Sequence, residues 1–182
     1  MNKNSGILLH PTALPSKYGI GDFGPEAYTF VDNLVEMGQT YWQILPIGPS
    51  DSSNSPYSLL STFAGNPLLI SLELLIEDGL LLSNEIVGFP VLSEKVDFNF
   101  VNKIKSDILN IVCENFYKRA NIELIKKYEY FCEKHSYWLE GFCKFWSLKE
   151  ATNWSVSWKD WDNHLIPCDV KVEHAKIVQF IF

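Results

Sequence analysis

Two short apolar runs in the first quarter of the chain have the pattern of buried strands. Residues 6–10 are apolar without alternation and are followed by Pro11, and residues 41–45 are rich in aromatic and β-branched side chains and are followed by Pro46. Proline ends a strand because it has no N–H to donate to a neighbouring strand. A continuous apolar run is typical of a strand that is covered on both faces, as in a parallel sheet. We therefore predict two buried parallel strands.

A helix with one apolar face is predicted between the two strands. Pro25 suits the first helical position, Gly24 or Asp22 can cap the helix, and Gly38 suits the residue after its last turn. Apolar side chains recur at helical spacing along this stretch at Ala27, Phe30, Val31, Leu34 and Val35. The order strand, helix, strand predicts a βαβ unit with parallel strands and a right-handed crossover.

The rest of the chain predicts helices. A short helix over residues 72–78 has Ser71 as a possible N-cap and Gly79 at its end. After a loop over residues 83–99, three further apolar stripes have helical spacing: Val101, Ile104, Ile108, Ile111 and Val112; Leu124, Tyr128, Phe131 and Cys132; Trp138, Phe142, Phe145 and Trp146. The apolar run at residues 176–182 predicts a helix that is interrupted by the end of the chain.

Composition narrows the class of protein. The 182 residues are 47% hydrophobic and 20% charged, which indicates a globular chain with a real core. A net charge of −7 argues against a nucleic-acid partner, which would require a basic face. No apolar run approaches the roughly 18 residues of a spanning helix, and no apolar leader precedes residue 6, so we expect no membrane partner and a cytoplasmic location. The four cysteines form no CxxC pair and are predicted to be reduced core residues: Cys113, Cys132, Cys143 and Cys168.

Candidate chemistry lies where the two predicted strands end. His10 ends the first strand, and binding sites of parallel sheets lie beyond the carboxyl ends of their strands. The alternative is that His10 is hydrogen-bonded within the protein and fixes the next turn. After the second strand, a polar loop of about twenty residues presents Tyr57; loops of this length in compact domains are often functional.

Five motifs, taken in their order along the chain, resemble the N-terminal part of the 4-α-glucanotransferases, the amylomaltase or disproportionating enzyme family. They are HPTALPS at residues 10–16, YGIGDFG at 18–24, YWQILP at 41–46, NSPYS at 54–58 and FAGNP at 63–67. The close resemblance covers residues 5–79, and residues 80–182 are similar only in helix pattern and tryptophan placement.

The resemblance implies an α/β fold, the N-terminal part of a (β/α)8 TIM barrel with its first two strands and a helical insertion, so that the barrel is incomplete. The implied domains are the start of the barrel at residues 1–79, a mainly helical insertion at 80–168 and a helix leading back to the barrel at 169–182. The implied activity transfers α-1,4-glucan segments between maltodextrin acceptors by a retaining mechanism. In the family the catalytic carboxylates come from later strands, so no catalytic residue is assigned here and the chain alone is expected to be inactive. We expect no cofactor and no metal.

The same resemblance implies that Tyr57 and its neighbour Ser55 contact the α-1,4-glucan substrate, and His10 is a further candidate contact. A phenol offers an apolar face to sugar C–H groups and a hydroxyl to a sugar oxygen. The alternative for Tyr57 is packing of the loop onto the barrel. Gly65 permits a positive φ, and the FAGNP motif that contains it is predicted to set the backbone geometry rather than to contact a ligand. The alternative function is that of a non-catalytic carbohydrate-binding fragment, or of a helical interaction fragment.

Overall fold

The computed structural model describes residues 4–88, 95–152, 157–161 and 167–182. Within these residues it contains two parallel strands and is otherwise mostly helical. The strands are β1 (Gly6–Leu8) and β2 (Tyr41–Gln43), and the α-helices are α1 (Pro25–Glu36), α2 (Leu72–Glu77), α3 (Phe98–Arg119), α4 (Ile122–Lys134), α5 (Ser136–Ala151) and α6 (Asp169–Ile181). Short 3-10 turns lie at Pro11–Ala13, Pro67–Leu69, Ser83–Glu85 and Trp158–Asp160. No helix in the described part of the chain is both long and apolar enough to cross a membrane.

The predicted βαβ unit is confirmed. β1 pairs in parallel with β2 in the register Gly6–Tyr41 to Leu8–Gln43, and Leu9 N–H donates to the Gln43 carbonyl at 3.0 Å. α1 connects the two strands, with Gly24 as its N-cap. Both strands are shorter than the apolar runs predict, and each ends three residues before its proline.

The prediction that the strands are buried on both faces is wrong for this structure. The side chains of Leu8 and Tyr41 are 57% and 59% exposed, and Val35 on α1 is 70% exposed. A sheet face is buried only when another layer covers it. Here the ring of Phe30 on α1 packs against Trp42 of β2, with the centroids 5.0 Å apart, while α3, α4 and α6 pack mainly on residues that follow the sheet.

Helix ends follow the predicted signals. The Ser71 side chain accepts a hydrogen bond from Leu74 N–H and caps α2. Gly38 and Gly79 have φ of +68° and +74°, in the left-handed region where a glycine lacks the steric penalty of other residues. Local sequence therefore sets where these helices begin and end.

The main core joins residues 70–81 to three of the helices. Its fully buried members come from α2 and the turn after it, from α3 and from α6: Leu72, Leu81, Val112, Phe116 and Ile177. The three predicted stripes supply core side chains from α3, α4 and α5, which confirms their helical spacing. Residues on both sides of residue 79 thus share one core, and the predicted domain boundaries at residues 79 and 168 stay a prediction.

All four cysteines are free, but they do not share one environment. Cys113 and Cys143 are buried and Cys132 is half-buried, as expected of core residues. Cys168 is exposed, so its assignment to the core is wrong. It precedes α6 as the N-cap residue, where the chain enters the helix at the surface. Burial raises the pKa of the Cys113 and Cys143 thiols to about 12, which keeps both in the unreactive thiol form.

A carboxylate on α6 holds two tyrosines of neighbouring helices. Glu173 accepts hydrogen bonds from the hydroxyl of Tyr117, at 2.8 Å, and from that of the buried Tyr128, and it lies 3.6 Å from the Lys176 ammonium. Partial burial opposes ionisation of Glu173, but these hydrogen bonds and the lysine outweigh it and hold the pKa below its ordinary value of 4.5. The ionised form is thus favoured by folding.

Glu173→Gln is expected to lower the free energy of unfolding by about 1 kcal/mol at neutral pH, because a hydrogen bond to a charged acceptor is stronger than one to a neutral amide. A carboxyl whose pKa is lower in the folded state stabilises the fold above its unfolded pKa, and this stability is lost as the pH falls through the folded value. The difference between the two proteins should therefore shrink below pH 4.5. Urea unfolding at neutral and acidic pH measures it, with the exposed Glu133→Gln as control. An equal difference at both pH values would contradict the prediction.

Candidate functional site

The two strands bring the segments that follow them to the same edge of the sheet. Trp42 Nε1–H donates to the Leu9 carbonyl at 2.7 Å, and His10 Nε2 lies 3.4 Å from the Pro46 carbonyl oxygen. These contacts join the end of β1 to the end of β2. They place His10 at the start of the loop that carries the other two predicted site residues.

His10 fixes a turn, which is the alternative that its position at the end of the first strand allowed. Its Nδ1 lies 2.8 Å from Thr12 Oγ1 and accepts a hydrogen bond from Thr12 N–H, so that the ring caps the 3-10 turn Pro11–Ala13. The ring is half-buried. Burial lowers the pKa of His10, although the Pro46 carbonyl acts in the opposite direction, so the imidazole is neutral at neutral pH. A contact between His10 and a ligand stays a prediction.

Residues 47–66, called the Ser-Pro-Tyr loop from this point, form a hairpin with a closed base. Asn66 N–H donates to the Ile47 carbonyl at 2.9 Å, and Leu60 N–H donates to the Pro49 carbonyl at 2.9 Å. Asp51 N–H then donates to the Ser58 carbonyl at 3.0 Å, beside an antiparallel bridge between Ser50 and Leu59. The loop therefore has a defined shape despite its length and polarity.

Local hydrogen bonds order the tip of this loop. The Asp51 side chain accepts from Ser53 N–H at 2.9 Å, Ser53 Oγ accepts from Ser55 N–H at 3.3 Å, and Ser55 Oγ accepts from Tyr57 N–H at 3.3 Å. Side chains that bond the backbone two residues onward are the mechanism by which Asp and Ser stabilise turns. Asp51 is thus a turn residue. The Tyr57 ring points outward and is 75% exposed.

The structure brings two of the three predicted site residues together. Ser55 and Tyr57 are joined through the Ser55 hydroxyl, whereas His10 bonds to Thr12 and Pro46. Among the described residues, no hydrogen bond links these two groups. With three quarters of its surface exposed, Tyr57 does not pack the loop onto the rest of the protein, so its ring is free to meet a ligand.

A cavity of about 340 Å³ opens beside the loop, between the loop and helices α3, α5 and α6. Its lining includes amide side chains and an indole ring: Asn54, Asn66, Asn102, Asn110 and Trp146. Trp146 Nε1–H donates to Glu150 at 3.1 Å, and burial raises the pKa of Glu150. A cavity near the lower end of the usual ligand-site range, with several polar groups and an aromatic ring, can accept a polyhydroxylated ligand.

Sequence reasoning missed a buried ion pair behind the loop. The Lys105 ammonium is fully buried, donates to the Leu68 carbonyl at 2.5 Å, and lies 3.5 Å from Asp22 Oδ2. Asp22 in turn accepts from Gly24 N–H at 2.9 Å, at the start of α1. Burial lowers the pKa of Lys105 to about 8 and raises that of Asp22. The sequence contains one signal for this pair, because Lys105 lies four residues after Val101, at a position of the α3 stripe where an apolar side chain is expected.

No group of three or more metal-ligating side chains occurs in the described ranges of the chain. The site as described is therefore built from a hairpin that presents one aromatic side chain, and from an adjoining polar cavity. Such a surface can bind and orient a ligand. Catalysis would require further groups, and no residue in the described ranges is assigned a catalytic role.

Comparison with known proteins identifies the family. A family model described as 4-alpha-glucanotransferase matches residues 9–178. The chain is 43% identical to a 4-alpha-glucanotransferase from Synechocystis over 164 residues, which are 88% of this chain and 32% of that protein. It is 39% identical to one from Thermus thermophilus over 156 residues, 86% of this chain and 30% of that protein. The chain thus spans about a third of the length of the relatives it matches.

Solved structures agree with the sequence matches. The amylomaltase from Streptococcus agalactiae, solved in complex with acarbose, superposes with a TM-score of 0.88 at 30% identity, over 100% of this chain and 39% of that one. The amylomaltase from Corynebacterium glutamicum, at 16% identity and a TM-score of 0.68, shares the fold. Because the family model covers nearly the whole sequence, the predicted resemblance is confirmed, and the protein belongs to the 4-alpha-glucanotransferase family.

Proposed function

We propose that this chain forms the N-terminal part of a cytoplasmic (β/α)8-barrel 4-α-glucanotransferase and supplies part of its glucan-binding surface. The observation that carries the proposal is the exposed Tyr57 ring at the tip of an ordered hairpin, in a chain matched to the family over residues 9–178. The loop follows a parallel strand, the position at which barrel enzymes carry their sites.

In a retaining transfer, one carboxylate attacks the anomeric carbon and a second acid protonates the departing oxygen; a sugar hydroxyl then resolves the glycosyl intermediate. We assign neither carboxylate to this chain. Its part is to hold the glucan: Tyr57 stacks on a sugar ring and offers its hydroxyl to a sugar oxygen, and Ser55 fixes the backbone from which that ring projects. His10 contacts Thr12 and the Pro46 carbonyl, and so links the ends of the two strands at the base of the loop. It is a further candidate for contact with the glucan.

The polar cavity supports a sugar ligand over a charged one. Its asparagines donate and accept hydrogen bonds without net charge, and its charged side chains balance in sign: Glu150 and Lys171 lie 4.0 Å apart, and Asp51 and Lys105 add one charge of each sign. The S. agalactiae neighbour was solved with acarbose bound. We therefore propose α-1,4-linked maltooligosaccharides as the ligand of this surface.

The proposal is tested by titrating maltoheptaose into the ¹⁵N-labelled protein and following backbone amide shifts by NMR. We expect saturable shifts in residues 51–58 and in the cavity wall, and much weaker shifts with a β-1,4-linked cellooligosaccharide of similar length. In a parallel incubation with maltotriose, the pure chain should release no glucose and form no longer maltodextrins. No shifts with maltoheptaose would refute glucan binding, and equal shifts with both sugars would refute a preference for the α-1,4 linkage. Turnover of maltotriose by the pure chain would refute the absence of catalytic groups.

A further inference from the structure

Helix α6 is hydrogen-bonded to the base of the Ser-Pro-Tyr loop through one buried side-chain amide. Gln179 is 7% exposed; its Oε1 accepts from Gly65 N–H at 2.8 Å, and its Nε2–H donates to the Gly65 carbonyl at 3.1 Å. One side chain thus satisfies both backbone polar groups of a single residue that lies 114 positions away in sequence. Two buried hydrogen bonds in this arrangement fix both the distance and the orientation of the loop backbone relative to the helix.

The position of Gly65 follows from this contact. A Cβ atom built on Gly65 would lie 2.0 Å from the Phe182 ring, so only glycine allows the loop backbone to approach the end of α6 so closely. The positive φ that glycine permits is not adopted at Gly65, which is not one of the positive-φ residues in the described part of the chain. Close packing therefore requires the glycine. The residue of the FAGNP motif that stabilises a turn is Asn66, whose side chain caps the following 3-10 turn.

Gly65 is adjacent in sequence to the residue whose hydrogen bond closes the loop. Asn66, next in sequence to Gly65, donates through its N–H to the Ile47 carbonyl at the other end of the hairpin. On the other side, Ala64 is buried and packs in the cluster formed by α5 and α6. A displacement of Gly65 would therefore move both ends of the hairpin that presents Tyr57.

We propose that Gln179, which also lines the cavity beside the loop, is a positioning residue for glucan binding: its amide is occupied by Gly65 and sets the place of the Ser-Pro-Tyr loop relative to α6. This inference rests on the proposed function, since it assumes that the loop meets the glucan. Without the Gln179 amide, the Gly65 N–H and carbonyl would remain buried and unsatisfied, and the loop would shift or open to reach water.

The inference is tested with Gln179→Met, which keeps a similar side-chain volume and removes both hydrogen bonds. We expect hydrogen exchange at the hairpin amides of Asp51, Leu60 and Asn66 to accelerate at least tenfold, while the protected amides of α3 exchange as in the wild type. Maltoheptaose binding, measured by the same NMR titration, should weaken about tenfold. Gln39→Met is the matched control, since the Gln39 side chain donates a long hydrogen bond, at 3.4 Å to the Met37 carbonyl two residues away, and its replacement should change neither quantity.

A second variant keeps the test decisive if the Gln179→Met protein does not fold. Gln179→Glu keeps the acceptor for Gly65 N–H, but its carboxyl can donate to the Gly65 carbonyl only when it is protonated. The loss of protection at the same three amides should therefore be smaller at acidic pH than at neutral pH. Unchanged hairpin exchange in both variants overturns the inference, and so does an equal acceleration in α3, which would show a general loss of stability. If the wild-type protein binds no maltoheptaose, the proposed function fails, while the exchange result still decides whether Gln179 holds the loop.

Discussion

Lys105→Met is expected to lower the free energy of unfolding by about 3–5 kcal/mol, the usual cost of removing one partner of a buried charge pair. The variant would leave Asp22 buried without its cation and the Leu68 carbonyl without its donor. The methionine itself adds no charge and fits a similar volume. The loss should therefore come almost entirely from the two groups left unpaired, and it is a large part of the stability of a small domain.

Chemical denaturation of the variants measures this loss directly. Adding Asp22→Asn to Lys105→Met should restore a substantial part of the stability, because the amide removes the unpaired charge and still accepts from Gly24 N–H. Lys103→Met, at an exposed position on the same helix, should change the stability by less than about 0.5 kcal/mol. If Lys105→Met and Lys103→Met had the same small effect, the buried pair would contribute little to the stability of the fold, which would contradict the prediction.

Tyr57→Ala is expected to weaken maltoheptaose binding by about 1–2 kcal/mol, roughly five- to thirtyfold in Kd, without lowering the melting temperature. The ring is 75% exposed in the free protein, so its removal costs the fold little, whereas in a complex the ring would bury its face against a sugar. A packing role predicts the reverse pattern, in which the melting temperature falls and the affinity of each folded molecule is unchanged.

Tyr57→Phe separates the ring from the hydroxyl. If stacking dominates, the phenylalanine variant should bind nearly as well as the wild type; if the hydroxyl bond to a sugar oxygen dominates, the two variants should weaken together. Tyr130→Ala is a suitable control, because Tyr130 is 63% exposed on α4 and does not line the cavity beside the hairpin, so its loss should affect neither binding nor melting. Unaltered affinity in a well-folded Tyr57→Ala protein would remove Tyr57 from the glucan-binding surface.

Features that depend on nearby residues were predictable from the sequence. The βαβ order, the Ser71 cap and the positive φ of Gly38 and Gly79 all follow from interactions within a few residues. The ordered tip of the Ser-Pro-Tyr loop belongs to the same class, since each of its side-chain hydrogen bonds spans two residues. The identity of Tyr57 as the candidate contact came from the order of the family motifs, and its exposure supports that choice.

Features that depend on distant residues were decided only by the tertiary structure. The strands looked buried by composition, yet their faces are exposed, because burial depends on which layers cover a sheet and not on the strand alone. From the sequence, Gly65 is a candidate turn glycine, but in the structure a side chain at this position would collide with the ring of Phe182. Lys105 and Gln179 each occupy an apolar helix position, and their partners lie 37 and 114 residues away. Local patterns specify elements, because their energies are local; the buried polar contacts that hold the binding loop require the packed chain, because desolvation makes them strong only after the elements have met.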